Sequence, residues 1–91
     1  MQPTPDTQDT SFAALNMVKV FHNVCAEVIR HCADPYALSY ADAGLHMDRP
    51  DFVYAQALYL QGNLVQWRGP EARKAKGHLQ SVIDMLRDYT P

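Results

Sequence analysis

Ninety-one residues with eight Lys and Arg against ten Asp and Glu make one domain of net charge −2, which excludes a general binder of duplex nucleic acid and confines any anion site to a local patch. At 47% hydrophobic residues the chain has the material for a core. A core of this size is limited, so staples or partner subunits are expected. No signal peptide and no membrane-spanning run is read, and a reducing cytoplasm is the expected compartment.

Residues 1–10 hold two prolines and no apolar periodicity and read as a flexible tail. Residues 11–91 read as a single helical domain. Thr10 or Ser11 can cap a first helix running to about Ala33. Its seam of Ala14, Val18, Phe21, Cys25, Val28 and Cys32 steps by four and three. Beside it Ala13, Met17, Val20 and Val24 form a second seam. One seam can meet the rest of the chain and the other a second subunit, or both can be buried in one bundle. Cys25 and Cys32 stand two turns apart, about 10 Å, too far for a disulfide within one helix, so buried free thiols are expected.

Asp34-Pro35 stops this helix and can start a short one to Ala43, with Asp34 as cap and Gly44 as terminator. Asp48, followed by Arg49-Pro50, repeats the start signal. From there residues 50–88 read as an antiparallel helical hairpin. Val53, Ala57, Leu60, Leu64 and Trp67 form the stripe of its first helix. Ala72, Ala75, Leu79, Val82, Leu86 and Tyr89 form that of its second. Gly69 closes the first and Pro70 opens the second. Gly62, inside the first, predicts close approach of another backbone. No strand and no internal repeat is read. The fold class is all-α: a long first helix, a short connecting helix and the hairpin, assembled as a symmetric homo-oligomer.

The turn carries Arg68, Arg73, Lys74 and Lys76 against Glu71 alone. Cations and amide donors at a helix start suit a phosphate, whereas a solvated basic face would find acids elsewhere. His22, His31, His46 and His78 have no metal-ligand spacing, and neither a metal nor a cofactor is expected. Asp42, Asp48 and Asp51 read as helix-end residues. No phosphate loop and no nucleophile elbow is present, so catalysis is not expected. A binding module remains, with Phe12, Tyr36, Tyr40 and Trp67 as aromatics on which a base could stack or which could pack the core.

The runs Tyr-Ala-Leu-Ser-Tyr-Ala-Asp-Ala-Gly-Leu-His-Met (36–47) and Val-Tyr-Ala-Gln-Ala-Leu-Tyr-Leu-Gln-Gly-Asn-Leu-Val-Gln-Trp-Arg-Gly (53–69) resemble the helical hairpin of phage cyclic-nucleotide sponges. The length and the single preceding helix are similar to the small anti-CBASS group rather than to the larger anti-Thoeris sponges. The resemblance covers roughly residues 12–88. It implies a homohexamer without catalysis that sequesters cyclic di- and trinucleotides of CBASS immunity in the cytoplasm of an infected bacterium. It further implies a cyclic-trinucleotide pocket where three protomers meet, carried onto Arg68 and Gly69, and a cyclic-dinucleotide pocket between paired protomers, matched to Phe12, Asn16 and Arg30. Leu15 stands where that pattern has an aromatic. The competing expectations are a small helical inhibitor docking on a host defence protein and a structural oligomer with no ligand.

Overall fold

The computed structural model describes the backbone of residues 5–88 and the side chains of residues 12–88. Among these residues it is all-α: α1 (Pro5–His31), α2 (Pro35–Gly44), α3 (Pro50–Gly62) and α4 (Pro70–Arg87). Helix α1 begins at Pro5, ahead of the start expected at Ser11, with a residue suited to the first helical position. The remainder of the expected tail, residues 1–4, lies outside the described residues, as do the side chains of Thr10 and Ser11, the hairpin residue Tyr89 and the last residues, 90 and 91.

α1 is the spine, packing against α4, α2 and α3. Every member of its four-three seam from Ala14 to Cys32 is buried, with Phe21, Cys25 and Val28 fully enclosed. The second seam divides: Val24 is buried, while Met17 and Val20 are half-buried against the same core. Ala13, the first member of the second seam, is half-buried and lies outside the core cluster, so the first seam serves this chain's own fold in full and the second in part. By length and composition alone Phe12–His31 is also apolar enough to cross a membrane, a run the sequence reading did not expect, with a mean hydropathy of 1.3 over an 18-residue stretch. Both cysteines are buried and free, and burial pushes the Cys25 thiol up to about 12.

Asp34 caps α2 as expected, its Oδ1 accepting from the Tyr36 amide at 2.8 Å and the Ala37 amide at 3.2 Å. The second start signal resolves differently. Arg49 occupies the cap position of α3 and makes no side-chain capping bond to the helix amides, since one residue separates Asp48 from the proline. Arg49 instead grips Asp51 through Nε and Nη2 and lies 4.4 Å over the Phe52 ring.

The hairpin stripe is buried from Val53 to Leu64 and from Ala72 to Leu86. Its helical part is shorter than the periodicity suggests: α3 ends at Gly62 and residues 63–69 form the connection. Leu64 and Trp67 keep the stripe's spacing yet reach the core from this connection. Gly69 is the cap residue of α4 at φ 111°, rather than the closing residue of α3. A Cβ at Gly62 would meet nothing within 4 Å, so the close approach expected there is not made within the chain among the described residues. Gly44 makes it instead, against Phe21 and Cys25 of α1.

Candidate functional site

The connection between α3 and α4 is held from below and from within. Leu64 is buried and Trp67 packs half-buried against the core, fixing the chain on either side of residues 65 and 66. Short backbone bonds, Leu64 to Gln61 at 3.2 Å and Trp67 to Leu64 at 3.0 Å, tighten it. Lys76, one turn and a half into α4, donates its Nζ to the Trp67 carbonyl. The positive φ of Gly69 then turns the chain into α4, which carries no side-chain cap. The first amides of α4 thus remain as donors at a helix start, where the partial positive charge of the helix lies.

Around this turn the basic residues separate into two groups. Arg68, Gly69, Arg73 and Lys76 line one cleft of about 270 Å³ together with Trp67. Lys74 faces the other way, into a groove of about 490 Å³ between α1 and α4 that also holds Arg30, Glu27, Glu71 and His78. Among the described residues none of Arg68, Arg73, Lys74 and Lys76 makes an ion pair. Acids paired to this basic face, which a merely solvated surface would favour, are not found there. The cleft at Arg68 therefore gathers cationic side chains and helix-start amides with no carboxylate in its wall. That composition suits an anion with several oxygens.

Trp67 and Arg68 also form part of a second cleft, of about 230 Å³, on the side facing the α1–α2 junction. Its other walls are Cys32, Ala33, Asp34, Asn63 and Gln66. The sequence reading did not single out Asn63, Gln66 or Asp34 as ligand-facing. Asn63 and Gln66 sit within the Asn-Leu-x-x-Trp-Arg-Gly run and were within reach of it. Asp34 was read only as a cap, and nothing local in the sequence brings residue 34 beside residue 67.

No family model, no curated protein and no solved structure matches the chain.

The residues matched to a dinucleotide pocket are not assembled within one chain. Phe12, 79% exposed, and Asn16 share a cavity of about 400 Å³ in the N-terminal half of α1. Arg30 lies fourteen residues beyond Asn16, about 21 Å along the helix, and is ion-paired to Glu27 at 2.8 Å. The cation that the fold puts beside Phe12 and Asn16 is Lys19, with His22 next to it and Asp48 from the α2–α3 loop in the same lining. His22 is itself engaged, donating Nε2 to the Met47 carbonyl at 2.7 Å. Lys19 was legible, since 12, 16 and 19 share one helix face. Asp48 was not, because a loop delivers it.

The other aromatics are placed apart from these clefts. Tyr40 stacks on Tyr59 across α2 and α3, ring centroids 5.8 Å apart, and Tyr36 stands exposed beside them at the start of α2. Phe52, Leu58 and Tyr59 are exposed on α3. No group of three or more His, Cys, Asp or Glu that could hold a metal ion occurs among the described residues.

Proposed function

We propose that this chain binds and sequesters cyclic oligonucleotides, the di- and trinucleotide messengers of bacterial CBASS immunity, as a phage anti-defence protein that does not cleave them. The observation that carries the reading is the cleft at the hairpin turn. Arg68 and Arg73 are exposed and without an ion pair among the described residues, Lys76 closes the wall, and the uncapped start of α4 adds amide donors. Such a cleft holds a phosphate by charge-assisted bonds, while Trp67 beside it offers a ring to a base.

A symmetric homo-oligomer, a hexamer by the resemblance, makes the reading quantitative. A cyclic trinucleotide is roughly three-fold, so three copies of Arg68 and Gly69 can meet its three phosphates. The cavity at Phe12 and Asn16 is the dinucleotide subsite of this proposal, with Arg30 contributed across paired protomers and Lys19 added from the same helix. The exposed side chains of Phe52 and Tyr59, seven residues apart on one face of α3, supply apolar surface for association.

Titration calorimetry with cyclic tri- and dinucleotides, and with linear dinucleotides as controls, tests it. Saturable binding of a cyclic ligand, recovered intact afterwards by chromatography, is the expected result. Absence of heat with every cyclic ligand overturns it. The exposed pair Phe52 and Tyr59 on α3 also favours a second reading, a small helical inhibitor docking on a host defence protein, which predicts that Tyr59→Asp abolishes anti-defence activity without affecting nucleotide binding.

A further inference from the structure

The cleft on the far side of Trp67 from the cationic cleft differs from it in chemistry. Its lining includes buried Cys32 and half-buried Trp67. Its polar groups are Asp34, Asn63 and Gln66, together with Arg68 at the boundary of the two clefts. Two of these side chains are already fixed by the fold. Asp34 spends Oδ1 on the amides of Tyr36 and Ala37, which leaves Oδ2 as an acceptor. Asn63 donates its Nδ2 to the Tyr59 carbonyl at 2.8 Å, which orients the amide and leaves its Oδ1 as an acceptor. Gln66 is exposed and adaptable. An aromatic wall beside two fixed acceptors selects a flat ring with two N–H donors on its edge.

We infer that the cleft formed by Trp67, Asp34 and Asn63 is a base-reading subsite that accepts a nucleobase bearing an exocyclic amino group and rejects one with an oxo group in that place. This rests on the cyclic-oligonucleotide reading and deepens it, because Arg68 joins the base cleft to the phosphate cleft. The base stacks on Trp67. Its amino hydrogens meet Asp34 Oδ2 and Asn63 Oδ1. An oxo group would instead face two acceptors, leaving all of them unpaired and desolvated, which is the situation a polar subsite discriminates against most strongly.

The test uses cyclic tri-adenylate, cyclic tri-guanylate and cyclic tri-inosinate, the last lacking the amino group of either of the others. Wild-type protein is expected to bind at least one amino-bearing ligand about tenfold or more tightly than the inosine ligand. Asp34→Asn keeps a capping oxygen for α2 and turns the remaining acceptor into a donor. In that variant the preference should vanish or invert, with the melting temperature held. Equal affinity for all three ligands, or a preference that Asp34→Asn leaves unchanged, overturns the subsite while leaving sequestration standing. Failure of every cyclic ligand to bind overturns both.

Discussion

Gly44 lies so close to Cys25 that a Cβ added to it would stand 2.8 Å from the Cys25 Sγ, and as near to the Phe21 ring. The neighbours are fully buried, so neither has open space to retreat into. Helix α2 is seated on α1 through this contact. Gly44→Ala gains about 1 kcal/mol of helix propensity but overpacks the junction at a cost of about 1–3 kcal/mol, and a larger side chain costs more. We expect Gly44→Ala to lower the melting temperature by several degrees and Gly44→Val to lower it further. Gly62→Ala, with nothing within 4 Å of its Cβ, should leave it unchanged or raise it slightly. A Gly44→Ala protein as stable as wild type would show that the α1–α2 seat yields.

The contrast between these two glycines shows where the sequence was readable. The four-three spacing of Ala14 through Cys32 identified the buried face of α1 residue by residue, because a helix presents every such position to the same side. Asp34-Pro35 announced the start of α2 for a similarly local reason. Gly62 and Gly44 look alike in sequence, one inside a periodic stripe and one after it. Only the packing of α2 on α1 decides which of them must lack a side chain. The spacing of Leu64 and Trp67 predicts a helix through Trp67, although the chain there has left the helix and merely continues to face the core. The cationic cleft was legible as composition, whereas its division, with Lys74 turned toward Arg30 and Lys76 tied to the Trp67 carbonyl, depends on the rotation of α4 against α1.

Burial holds the Cys25 thiol in its neutral form, moving it from 9.0 up to about 12. In the unfolded chain the same thiol ionises near its ordinary value. Because the folded value is the higher one, the stability contributed by the neutral thiol is fully present below pH 9 and is lost as pH rises toward 12. Urea midpoints of wild type and Cys25→Ala, measured from pH 7 to 10.5, should therefore converge above pH 9, with other titrations cancelling in the difference. Parallel curves through that range would show that the thiol ionises equally in both states. Native protein should also react slowly with an aromatic disulfide reagent at both Cys25 and Cys32, since both are buried.

At the other end of α1 the arrangement of Phe12, Asn16 and Lys19 predicts a separation of effects. Asn16→Ala and Lys19→Ala should each weaken cyclic-dinucleotide binding about tenfold while leaving the melting curve unmoved, since both side chains are exposed. Arg30→Ala reaches the same ligand only if a second protomer brings it there. A loss of affinity in Arg30→Ala that parallels Asn16→Ala, in a protein that light scattering shows to be oligomeric, would fit a pocket shared between copies. Unchanged affinity in Arg30→Ala together with losses in the other two would confine the pocket to Phe12, Asn16, Lys19 and their neighbours on one chain.

Arg68 and Lys76 line the same cleft but are bound to the fold in different ways, and that difference separates ligand binding from stability. Lys76 is half-buried with its Nζ on the Trp67 carbonyl, so it holds the connection in place. Arg68 is exposed, makes no ion pair among the described residues and has no packing duty, because the core contact ends at Trp67. A guanidinium can meet two phosphate oxygens in a fork, a geometry lysine cannot reproduce. If three copies of Arg68 surround one cyclic trinucleotide, a single substitution removes three charge-assisted contacts from the site. At about 1.5–3 kcal/mol for each contact the loss amounts to several powers of ten in affinity, less where the phosphates stay partly solvated. Arg68→Ala should therefore nearly abolish cyclic-trinucleotide binding, spare the dinucleotide cavity some distance along α1, and leave the melting temperature in place. Arg68→Lys should recover only part of the loss. Lys76→Met should weaken the trinucleotide and also lower the melting temperature, because the Trp67 carbonyl loses its partner and the turn loosens. Calorimetry with both ligand classes, alongside melting curves for all three variants, distinguishes these outcomes. Joint loss of both ligands and of stability in Arg68→Ala would make Arg68 a structural residue of the turn and remove it from the phosphate site.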